Sequence, residues 1–140
     1  MTRFGVGLAA VLGLILASFP VLAHHSFAAE YDADKPVTVK GVVERVAWVN
    51  PHAYIYINVT DESGEAKLWA FESLSPNALA RQGWTRDSLA AGEEVTIEGF
   101  MAKDGLPLSD GSGAVHANSR LITRADGSRV YGGSAAPRNR

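Results

Sequence analysis

Residues 37–49 read "VTVKGVVERVAWV", and the rest of the fold follows from what this stretch can form. β-branched residues dominate it, as they do in strands. Gly41 interrupts the alternation near the middle, and a glycine inside a strand pattern marks a bulge or a sharp bend. The stretch therefore predicts one long, bent first strand.

The segments that follow extend the pattern. "NPH" (Asn50 to His52) is a turn, and "AYIYINVTD" (Ala53 to Asp61) is a second strand. In it Ala53, Ile55, Ile57 and Val59 alternate with Tyr54, Tyr56, Asn58 and Thr60, the period of a strand with two unlike faces. After the short connection "ESG", "EAKLWAFES" (Glu65 to Ser73) reads as a third strand that makes a hairpin with the second. "SPNALARQG" (Ser75 to Gly83) then carries an N-cap serine, a proline at the first helical position and a glycine past the end, which predicts a short helix. "TRDSLAAG" (Thr85 to Gly92) is a second turn-like or helical piece. Glu93 to Ala102 and Val115 to Gly127 are further strands, separated by the Gly/Asp/Ser-rich loop Lys103 to Ala114, which is expected to be mobile. "SRVYGG" adds a short sixth strand.

Three strands, a helix and two more strands, with a bent first strand, predict a mainly β fold: a small five- to six-stranded OB-like barrel with one short helix between strands three and four. A β-sandwich is the runner-up, but about five strands is few for one. The expected organisation is a signal peptide over 1–23, a polar lead-in over 24–36, the barrel over 37–133 and a disordered tail over 134–140.

The leader rests on its own order. Arg3 gives a positive start, "FGVGLAAVLGLILASF" is apolar, and "VLA" (Val21 to Ala23) ends in small residues, the arrangement of a secretory signal. A retained membrane anchor is the alternative, but Pro20 breaks the run. Cleavage after Ala23 predicts a periplasmic or secreted protein that is not integral to the membrane, with His24 as its first residue. The chain has no cysteine, so stability comes from packing, and thiolate chemistry is excluded. Thirteen basic residues face fifteen acidic ones, for a net charge of −2. That balance gives nucleic acid no basic patch to bind.

No serine-hydrolase elbow, HExxH, P-loop or GxGxxG motif occurs, which favours a binding protein over an enzyme. Of the four histidines, His24 and His25 open the expected mature chain. His52 lies in the turn between strands one and two, and His116 follows the loop between strands four and five. In an OB-type barrel those two loops flank one face. A histidine at a free N-terminus offers its amine and its imidazole to one metal. With His52 and His116 added, and His25 as a further ligand, the set is a nitrogen-rich histidine brace that suits copper. The plain alternatives are a tolerated pair at a cleavage site, a turn histidine and a strand histidine. The aromatic residues mostly read as packing. Trp48, Tyr54 and Tyr56 are the candidates for a metal-free face that binds a partner protein or a saccharide.

The segments "AHHSFAAEYD", "VNPHAYIYINV", "LWAFESLSPNALARQGW", "GEEVTIEGFMAKDG" and "HANSRLITRADGSRVYGG" resemble the small exported bacterial proteins grouped as domain-of-unknown-function family 6152. The resemblance covers nearly all of the expected mature chain. "HHS", "NPH" and "SPN…L…GW" are its most specific pieces. It implies export and a compact β-fold, and it names no activity and no metal.

Overall fold

The computed structural model describes residues 27–130; the expected leader, His24, His25 and the tail beyond Val130 lie outside them. In chain order the elements are α1 (Phe27–Glu30), β1 (Tyr31–Ala47), β2 (Tyr54–Thr60), β3 (Ala66–Glu72), α2 (Pro76–Arg81), β4 (Glu94–Ala102), β5 (Val115–Arg124) and β6 (Arg129–Val130). Among the described residues no helix is long and apolar enough to cross a membrane.

The sheet runs β3-β2-β1-β4-β5-β6, and a parallel pairing of β3 with β5 closes its first five strands into a mixed barrel. This is the architecture expected from the sequence, with β6 as the extra strand and α2 between β3 and β4. Strand β1 makes closure feasible because it serves two neighbours. Its first half pairs with β4, its second half with β2, and Val42 faces Asn58 on one side and Glu94 on the other. Gly41 stands at that changeover. A Cβ there would come within 2.6 Å of the Asn58 carbonyl oxygen, so only glycine admits the close approach. The register irregularity itself falls slightly later, between Val43 and Arg45.

β1 begins at Tyr31 rather than at Val37, inside the stretch read as a lead-in. Tyr31 pairs with Ala102, and pairing resumes at Pro36 after a register shift. Between them Asp32 accepts the Asp34 amide and pairs with Lys35. This Asx-type turn is why "DADKP" reads as a loop although the strand continues through it.

Ile55, Ile57, Phe71, Val95, Ile97 and Ile122 fill the barrel interior with essentially no exposure. Helix α2 adds Leu79 to the same core, together with Trp84 and Leu89 from the segment after it. Its start and stop match the sequence signals. Ser75 Oγ accepts the Ala78 amide, Pro76 is the first helical residue, and Gly83 takes a positive φ just past the end.

The loop between β4 and β5 folds back on the barrel. Leu108 and Ala114 share a backbone hydrogen bond, Pro107 bridges Val115, and Leu108 and Ala114 pack with Tyr56 and Ala70. This second small cluster lies on the outer face of β2 and β3.

Candidate functional site

The centre of the site is Glu72, the last residue of β3. Its neighbour Phe71 points into the core, so alternation along the strand turns Glu72 to the outer face with Ala70. It is nevertheless only 5% exposed, because four segments converge on it. Tyr54 is its register partner on β2. The parallel β3–β5 seam pairs Ala70 with His116, which brings that imidazole alongside. Backbone hydrogen bonds from Ala53 to Leu74 and from Ser73 to Ala53 prolong the β2–β3 ladder, and the adjoining His52 turns its ring to Glu72. From the other direction, Phe27 of α1 packs against Phe100 and Tyr31, and so delivers Glu30 and Tyr31.

A carboxylate this buried needs partners for its lone pairs. Oε2 accepts hydrogen bonds from the Tyr31 hydroxyl at 2.7 Å and the Tyr54 hydroxyl at 3.1 Å. Oε1 is paired with Nδ1 of His52 at 2.8 Å. His116 Nε2 lies 4.0 Å from Oε2 and 3.1 Å from the Tyr31 hydroxyl. The phenol has one proton and Glu72 takes it, so its oxygen accepts from the imidazole N–H. Glu72 thereby fixes His52 directly and His116 through Tyr31. Burial, then the adjacent Glu72 charge, push both Tyr31 and Tyr54 well above the ordinary phenol range, so both are neutral donors at physiological pH.

Glu30, Glu72 and His116 each offer a ligand atom, and those atoms lie within 4.8 Å of one another. Glu30 and His116 also line a cleft of about 240 Å³ with Ala29, Ala102, Lys103 and Asp104, which opens that side of the group to solvent. Mixed imidazole and carboxylate donors at this spacing are of the kind that hold a divalent transition ion.

"Family of unknown function (DUF6152)" matches residues 11–110. The chain belongs to this family. No curated protein and no solved structure matches it. DUF6152 membership fixes the kinship noted from "HHS", "NPH" and the α2 segment without assigning chemistry to any residue.

The histidines expected to meet do converge: His52 and His116, from opposite halves of the described chain, both reach one carboxylate. His24 and His25 precede the described residues. Glu72, Tyr31 and Glu30 were missed by the sequence reading. Glu72 left one signal, a lone charge at the end of the apolar run "LWAFES". The aromatic candidates separate. Trp48 packs against the barrel core rather than joining the tyrosines. Tyr56 is buried, its hydroxyl donates to Asp110, and the Arg45 guanidinium covers its ring at 3.6 Å. Tyr54 is half-buried and turns its hydroxyl to Glu72.

Proposed function

We propose that this chain is an exported, non-enzymatic binding protein that holds a transition metal, copper foremost, at the Glu72 centre. The observation that carries the reading is the convergence of Glu30, Glu72 and His116, from three separate segments, to within 4.8 Å beside an open cleft. His52 lies on the second oxygen of the same carboxylate. In this reading the leader is removed after Ala23, and His24 and His25 join the site. Three and two residues before Phe27, they stay within about 11 Å of it even when fully extended, and Phe27 packs on Tyr31. The role is carriage, sensing or protection.

The test is a Cu(II) titration of protein whose first residue is His24, followed by paramagnetic resonance. The expected result is one tight site that weakens sharply in His116→Ala and Glu72→Gln. Adding one residue before His24 should reduce the number of coupled nitrogens. Affinity no better than that of a control peptide would sink the reading.

A second reading has one observation in its favour. Arg45, Ala47, Val49, Tyr54, Tyr56, Leu108, Ser109 and Asp110 line a separate cleft of about 400 Å³. Its mixture of apolar wall, cation and carboxylate suits a saccharide or the side chain of a partner protein. Binding of either that is lost in Tyr54→Ala and indifferent to metal would put this reading first.

A further inference from the structure

The donor group contains an oxygen that metal binding through carboxylate and imidazole alone leaves unused. Tyr31 Oη is 2.7 Å from Glu72 Oε2 and 3.1 Å from His116 Nε2, and those two atoms are 4.0 Å apart. Three distances fix a triangle. The midpoint between the carboxylate oxygen and the imidazole nitrogen is 2.0 Å from each, and it lies about 2.1 Å from the phenol oxygen. Bonds from nitrogen or oxygen to a divalent transition ion are about 2.0–2.2 Å long. One point is therefore at bonding distance from three donor atoms on three different strands as they stand. Glu30 completes the group from α1.

We propose that Tyr31 is a direct ligand of the metal, so that the ion is held by a phenolate, the Glu72 and Glu30 carboxylates and the His116 imidazole. This rests on the metal-binding reading and narrows it, because the donor set becomes dominated by oxygen rather than nitrogen. When no ion is bound, hydrogen bonds along the two shorter edges of the triangle join the same atoms. As the metal bonds form, the phenol proton passes to the buffer. The neutral His116 imidazole gives up its Nε2 proton and takes one up on Nδ1 through solvent, which frees the Nε2 lone pair with no net change at the histidine. A coordinated cation stabilises the anionic form of its ligand far more strongly than a buried carboxylate neighbour opposes it. Tyr54 also donates to Glu72 Oε2, but it is the Tyr31 hydroxyl that bonds His116 Nε2 as well, so the triangle singles out Tyr31.

The phenolate is the part that can be seen. Protein purified from cells expressing the full chain is titrated with Cu(II), and absorbance is read alongside affinity measured by competition with a chelator. The expected result is a visible phenolate-to-copper charge-transfer band that saturates at one equivalent. Zn(II), with its filled d shell, should bind without colour. Tyr31→Phe should abolish the band and weaken binding by at least the ~10–100-fold that even outer partners of a metal site contribute, while Tyr54→Phe should keep the band. If Tyr31→Phe does not fold, resonance Raman of Tyr54→Phe labelled with ring-deuterated tyrosine takes its place. An isotope-shifted phenolate mode that persists leaves Tyr31 as the hydroxyl on Glu72 that supplies it, and its loss overturns the assignment. Copper bound in a Glu72-dependent manner without the band, or a band that survives Tyr31→Phe, overturns the ligand assignment and leaves the metal reading standing. Failure of both Cu(II) and Zn(II) to bind in a Glu72-dependent manner removes both.

Discussion

Two tyrosine–carboxylate pairs occupy the outer wall of β2 and β3, and they make different things of the same chemistry. Tyr56 donates to Asp110, an exposed residue of the β4–β5 loop whose remaining bonds stay within that loop, to the Ser112 amide and hydroxyl. Tyr31 and Tyr54 donate to Glu72, which is buried and also holds His52. Asp110 can turn to water when it loses its tyrosine, so its pair is a clasp that pins a loop. Glu72 has no such exit. Its partners come from the start of β1, the β1–β2 loop, β2 and β5, so the carboxylate ties both ends of the β1–β2 connection and the distant β5 to the end of β3. A charge largely withdrawn from water at the edge of a cleft, and surrounded by groups that can titrate or ligate, is a feature of functional sites. A clasp on an exposed loop is a feature of folding.

The hardest test of that contrast is to remove each carboxylate. Glu72→Ala takes their shared acceptor from the hydroxyl of Tyr31, a residue only 3% exposed, and from Tyr54 and His52. Unpaired buried donors cost about 1–3 kcal/mol each, so a loss on the order of 3 kcal/mol is expected in urea unfolding, together with complete loss of metal binding. A stability change under about 1 kcal/mol, the low end of that range, would mean that water reaches Glu72, and the distinction between the two pairs would fall.

A smaller effect is expected at the histidines. His52→Ala leaves the donor group of Glu30, Glu72 and His116 intact but frees one carboxylate oxygen. It should weaken metal binding by about 10–100-fold, as the loss of an outer partner does, where His116→Ala removes a ligand and costs more. Calorimetric titration of the two variants ranks them, and the reverse order would place the ion on the His52 side of Glu72. Lowering the pH should weaken binding in the unmutated protein as well, because protons compete with the metal for imidazole and carboxylate.

These residues also mark where sequence stops informing. The barrel was legible because it depends on periodicity: Ile55 and Ile57 alternate with their neighbours, Ser75-Pro76 and Gly83 bracket a helix, and Gly41 interrupts a long strand. Those patterns are local, and each has a physical cause within a few residues. His52 and His116 were legible as a pair because the expected topology places their loops on one face. Glu72 and Tyr31 were not, since nothing near them in sequence states that strand ends 41 residues apart come together. That juxtaposition depends on the parallel β3–β5 closure and on a first strand that persists through "DADKP" to Tyr31. The same limit explains Trp48, whose position beside the tyrosines in the chain does not determine which side of the wall it packs on.

The mildest prediction concerns the clasp. Asp110 is held down to about 2: burial opposes this, but hydrogen bonds from Ser112 and Tyr56 outweigh it. A carboxyl with a depressed folded pKa stabilises the fold above its ordinary value near 4, and that contribution fades as the pH falls through about 2. The group is almost fully solvated, so the effect is small, and Asp110→Asn should cost no more than about 1 kcal/mol at neutral pH. The variant should nevertheless show a shallower loss of stability than the unmutated protein between pH 4 and about 2, because it has no carboxyl there to protonate. Tyr56→Phe should match it at neutral pH, since each removes one end of the same hydrogen bond, and the double variant should cost little more than either alone. Hydrogen exchange should quicken at the Leu108 amide, which bonds Ala114, and stay slow at Ile57 in the core. Metal affinity should be unchanged in both. A clasp variant that loses metal would show that the loop and the Glu72 centre act as one site, and the two tyrosine–carboxylate pairs would then be parts of a single device.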